Sequence, residues 1–304
     1  MLFAQGARGE IVRKMQRRLK AGGFDPKGID GDYGEKTRKA VRALQRANGL
    51  QPTGQVDVTT WRRLMDRPIP TIRDRALQVT AAFEGHDFSL AQGNFDGAGV
   101  TWGIIGFTLK HGELSRIVLE VEDRHPALVR QAFGPKTDEL HRILRGSKAR
   151  QLTFADGISL GPKKVRLAEP WRSAFRRFGE MEAVQAVQLR FADRDYFRPA
   201  VQTARRLRLK TELGLALAFD IHVQNGGVSS SAGEEIKRHL AQHPVENELE
   251  RRVIIANAVA NHARPQFRED VRSRKLTIAT GTGRVHGETF VLRNWGLAAL
   301  PLPA

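Results

Sequence analysis

The chain has 304 residues, of which 50 are Lys or Arg and 33 are Asp or Glu, and it contains no Cys. This length suits about two domains with a sizeable core, and 40% hydrophobic with 27% charged residues excludes wholesale disorder. The lack of Cys excludes disulfides, iron–sulfur clusters and thiolate zinc sites. No apolar run is long enough to span a membrane, and the N-terminus lacks the apolar core of a signal peptide.

The formal net charge of +17 indicates an anionic partner: nucleic acid, acidic lipid or an acidic cell-wall polymer. Residues 1–70 contribute +8 and the rest of the chain +9, so the short N-terminal part is the more densely basic. This distribution is typical of a targeting module, although a generally basic proteome would also explain it.

The first 66 residues predict a compact helical unit. Apolar residues recur at helical spacing over 11–19, over 37–45 and over 61–64. Glycines follow the first two segments, and Asp57 or Thr59 is placed to cap the third. We therefore expect three short helices that are joined by polar, Gly-rich turns.

The motifs of this segment occur in a fixed order. They are the G-x-x-G-x-x-V-x-x-M-Q-x-x-L run over 6–19, D-G-D-Y-G-x-x-T over 30–37 and G-Q-V-D-x-x-T-W-x-x-L over 54–64. This order resembles the type 1 peptidoglycan-binding domain, a three-helix module of many cell-wall hydrolases. The resemblance implies a wall-binding domain over 1–66. Asp30 and Tyr33 are its expected ligand contacts, since the Tyr33 ring would stack on a sugar or peptide; a core position for Tyr33 is the alternative.

A second domain is expected after a stiff linker. Two prolines in Arg67–Pro70 favour extended backbone over residues 67–72. The remaining residues, 73–304, are predicted to be mostly helical, with turns and short strands over the Gly-rich stretch 93–107. The predicted fold class is therefore mainly α (α+β), with a small β region. Further helices are expected over 183–191, 197–207, 211–223 and 250–262.

Near the C-terminus the sequence predicts a β-hairpin. Leu276–Thr280 is rich in strand-forming residues, Gly281–Gly283 is a turn signal, and Phe290–Leu292 would form the partner strand.

Two carboxylates are candidates for acid–base chemistry. Glu84 is expected to end an amphipathic helix, beside Phe83 and before Gly85. The negative end of a helix and an apolar neighbour both favour the protonated carboxyl that a general acid needs. Asp96 follows twelve residues later in a tight turn, and two facing carboxylates are the arrangement for glycoside hydrolysis. A solvated helix end for Glu84 and an Asx turn for Asp96 are the simpler alternatives.

The segment that starts with Glu84 and continues as D-G-A-G-V-T-W-G over 96–103 resembles the catalytic core of family 46 glycoside hydrolases, the chitosanases. It is also similar to the wider lysozyme superfamily. The resemblance implies that Glu84 is the acid, Asp96 the base and Thr101 the hydroxyl that positions the attacking water. The Glu-to-Asp spacing is shorter than in typical chitosanases, and Ala98 stands where these often have Arg, so chitosan is the less favoured substrate.

Four further residues are expected to contact the substrate: Asn94 and Trp102 in the Gly-rich stretch, and Gln224 and Asn225 at the end of an apolar helix. The two later amides would hydrogen-bond acetamido groups, although capping and turn formation explain them equally well. The sequence has no metal-binding motif, phosphate loop or dinucleotide fingerprint, so no cofactor and no metal are expected.

Together these features predict a monomeric, modular peptidoglycan hydrolase that cleaves β-1,4 bonds as a muramidase. It resembles a bacteriolytic phage or prophage endolysin, made in the cytoplasm and released to the wall. An anionic outer membrane is a further expected partner, and nucleic acid is not. The alternatives are a chitosanase with a wall-binding module, a lytic transglycosylase that uses Glu84 alone, and a non-catalytic wall-binding protein.

Overall fold

The computed structural model describes residues 1–85 and 87–302. They form two compact units: the first comprises Met1–Phe83 and the segment from Tyr196 onward, and the second comprises Glu84–Asp195. The fold is mainly helical with small antiparallel sheets, which confirms the predicted fold class. Within the described ranges, no helix is both long and apolar enough to cross a lipid bilayer.

The N-terminal segment contains the three predicted helices. Two buried glutamines organise the turns between them: Gln16 accepts the Gly31 N–H at 2.8 Å, and Gln45 accepts the Gly54 N–H at 2.9 Å. Asp57 caps the third helix by accepting the Thr60 N–H at 2.7 Å. The helices are α1 (Glu10–Ala21), α2 (Glu35–Ala47) and α3 (Val58–Leu64).

Helix α4 (Ile72–Glu84) follows, and residues that precede α1 contact the C-terminal segment of the same unit. The Ala4 N–H donates to the Asn294 carbonyl at 2.9 Å, and the Trp295 indole N–H donates to the Arg8 carbonyl at 3.0 Å. On α4, Arg75 forms a buried ion pair with Glu212 at 2.9 Å. The domain boundaries at 66 and 73, and the linker between them, stay predictions.

The second unit begins with a small sheet of three strands. The strands β1 (Ala91–Gln92), β2 (Thr101–Trp102) and β3 (Phe107–Thr108) pair antiparallel in that order. Thr101 lies opposite Gln92 on one side and Thr108 on the other. The Gly-rich stretch therefore forms the predicted turns and short strands.

Helices of the same unit pack against this sheet. In the core, the Trp102 ring stacks on the Phe178 ring, with 5.4 Å between the ring centroids. The Phe133 ring packs edge-on against the Phe175 ring, with 5.1 Å between centroids. The remaining elements of this unit are α5 (Glu113–Arg124), α6 (Pro126–Phe133), α7 (Thr137–Leu144), α8 (Lys148–Gly157), β4 (Ser159–Leu160), β5 (Arg166–Leu167), α9 (Trp171–Glu180) and α10 (Glu182–Ala192).

The C-terminal segment completes the first unit. Its helix α12 is buried over most of its length. The four helices predicted over 183–191, 197–207, 211–223 and 250–262 are confirmed close to those bounds. The elements are α11 (Arg198–Arg206), α12 (Glu212–Asn225), α13 (Ser230–Gln242), α14 (Glu248–Asn261), α15 (Arg268–Thr280), β6 (Thr282–Val285) and β7 (Glu288–Val291).

The predicted strand Leu276–Thr280 is wrong, because these residues form the last turns of α15. Helical spacing along α15 buries Val271, Lys275 and Ile278, and this pattern outweighs the local strand propensity. The hairpin lies further on, between β6 and β7. His286 and Gly287 form its two-residue turn with φ of 51° and 84°, as a type I′ turn requires.

Candidate active site

The loop that joins β1 to β2, residues 93–100, presents Asp96 to solvent. The Ala98 N–H donates to Asp96 Oδ1 at 2.9 Å. This is the Asx turn that the sequence left open as the simpler role. The turn orients the carboxylate and leaves it exposed, so a turn role and a base role are compatible.

Thr101 is the first residue of β2, and its side chain has unused hydrogen-bonding capacity. The residue is 6% exposed. Its buried Oγ1 has no hydrogen-bond partner within residues 1–85 and 87–302. Leaving a buried hydroxyl unsatisfied costs about 1–3 kcal/mol, so the fold alone does not account for this hydroxyl.

Replacing Thr101 with Val tests this hydroxyl. Val has the same shape and removes a group that the fold does not satisfy, so we expect the free energy of unfolding to stay within about 1 kcal/mol of wild type. We expect kcat to fall about tenfold or more, because the hydroxyl would position the attacking water. Urea unfolding and turnover measure the two effects.

Thr137→Val is the matched control in the same unit. Thr137 is also 6% exposed, but its hydroxyl donates to the Gly134 carbonyl at 2.8 Å. That variant should lose stability and keep its kcat. An unchanged kcat in Thr101→Val would contradict a role of the hydroxyl in catalysis.

Glu84 is the last residue of α4 and is half-buried. Gly85 follows with φ of 64°, in the left-handed conformation of a C-terminal helix cap, as the sequence predicts. Glu84 opens the unit that also contains Asp96 and Thr101.

Sequence reasoning missed Phe95, which directly precedes Asp96 and is 46% exposed. An exposed aromatic ring beside a carboxylate is a surface on which a sugar ring can stack. The available signal was a large apolar residue within a loop of glycines and polar residues, where few apolar neighbours exist to bury it.

Two predicted substrate contacts are core residues. Trp102 is fully buried, and its indole N–H donates to the Phe175 carbonyl at 2.9 Å. Tyr33 is 1% exposed and its hydroxyl donates to the Gly54 carbonyl at 3.0 Å; burial raises the pKa of the phenol. Both rings are closed to a ligand, so the structure corrects these two predictions in favour of packing roles.

The predicted amide contacts have different surroundings. Gln224 is already engaged on both sides: its Nε2 donates to Asp270 at 2.9 Å, and its Oε1 accepts from Lys275 at 2.6 Å. Asn225 Oδ1 is buried and lacks a partner among the described residues. Asn94 also uses its amide within the protein, accepting from Gly99 and donating to Asp156. Sugar contacts by Asn94, Gln224 and Asn225 stay predictions.

Near Gln224, a buried ion cluster supports α12 and α15. Asp220 is fully buried and accepts from Arg274 at 2.7 Å, Lys275 at 2.5 Å and the Thr80 hydroxyl at 2.9 Å. Burial alone would raise the pKa of Asp220. The charges and hydrogen bonds of Arg274 and Lys275 outweigh that effect and hold the pKa well below its ordinary value.

In the N-terminal helical segment, the turn before α2 lines a cleft of about 280 Å³. Asp30, one of the predicted contacts, accepts from the Gln16 amide at 2.7 Å and from the Asp32 N–H at 2.8 Å. Burial acts to raise the pKa of Asp30, and these hydrogen bonds offset it and leave the pKa lowered. The lining residues are Pro26, Lys27, Asp30, Asp32, Gly34, Glu35, Lys36 and Thr37.

The second unit is mostly helical, starts with the helix-terminal Glu84 and continues into a small sheet, with Asp96 in the β1–β2 loop and Thr101 on β2. This is the arrangement of a lysozyme-like glycoside hydrolase. The chain belongs to glycosyl hydrolase family 46, whose model matches residues 80–250. A second model, that of a peptidoglycan binding domain, matches residues 8–64.

Solved chitosanases share this fold. One is a chitosanase mutant from Bacillus subtilis MY002 in complex with 6 GlcN: 18% identity and a TM-score of 0.53 over 73% of this chain and 98% of that one. Another is a family 46 chitosanase from Gynuella sunshinyii in complex with chitotetraose: 19% identity and a TM-score of 0.50 over 74% and 99%.

A curated relative matches the N-terminal segment. It is described as a "probable N-acetylmuramoyl-L-alanine amidase" from Bacillus licheniformis and is 39% identical over 66 residues, which are 21% of this chain. The chain covers 19% of that relative's length. This match therefore concerns a shared module and not a shared catalytic domain.

Proposed function

We propose that the chain hydrolyses β-1,4 bonds of an amino-sugar polymer with inversion at the anomeric carbon. Glu84 protonates the leaving oxygen, Asp96 removes a proton from the attacking water, and Thr101 holds that water. Membership of family 46, whose matched region includes these three residues, carries the proposal. The exposed Asp96 carboxylate and the unsatisfied Thr101 hydroxyl support it.

The first candidate polymer is chitosan. Solved structures of the same fold are chitosanases, one described in complex with 6 GlcN and another with chitotetraose. The fold shared with these chitosanases therefore supports cleavage between glucosamine units.

Peptidoglycan is the second candidate, and the N-terminal match over 8–64 favours it. A module that holds the enzyme on the wall raises the local concentration of glycosidic bonds, so even weak binding increases turnover. The net charge of +17 also suits anionic wall and envelope polymers better than cationic chitosan. A muramidase released to the wall in the manner of an endolysin is the finer form of this candidate.

Product analysis on both polymers separates the candidates. The purified chain is incubated with chitosan and with peptidoglycan, products are identified by mass spectrometry, and the first-formed anomer is followed by NMR. Glucosamine oligomers would support a chitosanase, and reducing-end MurNAc would support a muramidase. Anhydro-sugar products, a retained anomer or no cleavage of either polymer would each contradict the proposed hydrolysis.

Wall binding should depend on the cleft before α2. Lys36 lines this cleft, and its ammonium is placed to attract the carboxylates of peptidoglycan stem peptides. We expect Lys36→Glu to raise the Kd for insoluble peptidoglycan about 3- to 30-fold, measured by co-sedimentation. Lys39→Glu is the control, since Lys39 is exposed on the same helix and does not line the cleft. Equal losses in both variants would contradict a role for the cleft.

A further inference from the structure

The loop that carries Asp96 is attached to the β4–β5 hairpin, residues 159–167, at consecutive backbone positions. The Gly93 N–H donates to the Val165 carbonyl at 2.8 Å. The next N–H, that of Asn94, donates to Ser159 Oγ at 2.8 Å. The Ser159 hydroxyl in turn donates to the Ala155 carbonyl at the end of α8.

This approach is so close that the loop needs glycine at position 93. A Cβ on Gly93 would lie 2.4 Å from the Lys164 carbonyl oxygen and 2.6 Å from Ser159 Oγ. Backbone atoms of the hairpin cannot move aside as a flexible side chain would. A side chain at position 93 would therefore push the loop away from the hairpin.

Asn94 connects the loop to itself and to α8. Its Oδ1 accepts the Gly99 N–H at 2.8 Å, which ties together the two ends of the segment that contains Asp96. Its Nδ2 donates to Asp156 Oδ1 at 3.1 Å. The same carboxylate oxygen accepts from Lys164 Nζ at 2.5 Å. The hydrogen bonds from Lys164 and Asn94 lower the pKa of Asp156, so this acceptor is ionised at neutral pH.

We propose that Asp156 is a positioning residue for the catalytic base: through Asn94 it holds the 93–100 loop in the conformation that presents Asp96. This inference rests on the proposed role of Asp96. Gly97, which directly follows Asp96, has no packing neighbour at its Cβ position, and Asp96 itself is exposed, so this part of the loop depends on contacts elsewhere for its conformation. A general base must lie within hydrogen-bond reach of its water, so a displacement of about 1 Å lowers the rate sharply.

A purely stabilising role would have a different signature. Asp156 and Lys164 are both about half exposed, with side-chain exposures of 47% and 42%. Ion pairs of this kind contribute little to global stability. We call the link from Asp156 through Asn94 to the 93–100 loop the clamp. Its loss should lower kcat and change the unfolding midpoint little.

The test compares the variants Asp156→Ala and Asp156→Asn with the control Asp123→Ala. The substrate is whichever polymer the wild-type chain cleaves. Asp123 is an exposed acid on α5 of the same unit. We expect Asp156→Ala to lower kcat about tenfold with KM changed less than about twofold. Asp156→Asn should recover most of that loss, because its Oδ1 still accepts from Asn94. Asn94→Ala removes the same link together with the hydrogen bond from the Gly99 N–H, so its loss of kcat should be at least as large.

A double-mutant comparison shows whether Asp156 acts through the base. In an Asp96→Asn background, Asp156→Ala should cause no further loss of kcat. A further loss of the full size, or equal losses in Asp156→Ala and Asp123→Ala, would overturn the clamp while leaving the proposed base in place. An Asp96→Asn variant with wild-type kcat would overturn the base assignment itself and the clamp with it.

Discussion

Glu84→Gln is expected to lower kcat by about 10²- to 10⁴-fold, the usual contribution of a general acid. Gln has nearly the same shape as Glu but has no proton to transfer to the leaving oxygen. Because the amide can still contact the sugar, KM should change much less than kcat. Asp96→Asn should cause a loss of similar size, since the amide cannot accept the proton of the attacking water.

The matched control for these variants is Glu180→Gln, an exposed carboxylate at the end of α9 in the same unit. Its kcat should equal that of wild type. Initial rates of reducing-end release, with circular dichroism to verify folding, measure all three variants. Loss of activity in Glu84→Gln with full activity in Asp96→Asn would contradict the acid–base pair and favour a lytic transglycosylase, which needs one carboxyl group.

Local patterns in the sequence predicted the three N-terminal helices, the helix that ends at Glu84 and four later helices. The N-terminal helices follow from apolar spacing and from turn residues that lie within a few positions of each other. The Gly-rich stretch is incompatible with a long helix, so its short strands and the exposed Asp96 could also be predicted. These features depend on residues that are close together in the sequence, so one sequence is enough to predict them.

Burial and long-range pairing could not be predicted in the same way. Tyr and Trp serve equally in cores and in sugar-binding surfaces. Contacts with residues distant in sequence decide that Tyr33 and Trp102 are core residues: Gly54 accepts from the Tyr33 hydroxyl, and Phe178 stacks on Trp102. Asn94 and Asp156 are 62 residues apart in sequence. No local pattern indicates that their side chains meet.

The strand predicted at Leu276–Thr280 shows the opposite failure, in which a local preference misleads. Thr277 and Ile278 favour strands, but Thr277 lies in a helix, where its hydroxyl donates to the Ser273 carbonyl at 2.8 Å. The helix also places Arg274 and Lys275 against the buried Asp220. The available signal began upstream of the predicted strand, since Val271, Lys275 and Ile278 recur at helical spacing.

The same cluster carries the largest expected effect on stability. Asp220→Asn leaves the side chain's volume nearly unchanged and removes a negative charge that pairs with two cations, each at most 1% exposed. Breaking a buried ion pair from one side costs about 3–5 kcal/mol, because the remaining charge stays buried and unpaired. Asp195→Asn is the control, since Asp195 pairs with Arg194 and Arg116, two cations that are about half exposed, and ion pairs of exposed cations contribute about 0–1 kcal/mol each. Urea unfolding of both variants measures the difference.

The pH dependence of stability provides an independent check on the same charge. The pKa of Asp220 is lowered in the folded state, so the ionised group stabilises the fold fully above the unfolded value of about 4. That stabilisation is lost as the pH falls below about 4 toward the folded pKa, where Asp220 takes up a proton. The gap in unfolding free energy between wild type and Asp220→Asn should therefore narrow on acidification from pH 5 to about pH 3. A gap that stays constant over this range would show that the cost of the substitution comes from packing and not from the charge. Should Asp220→Asn fail to fold, Thr80→Val removes one hydrogen bond to the same carboxylate and should cost about 1–3 kcal/mol.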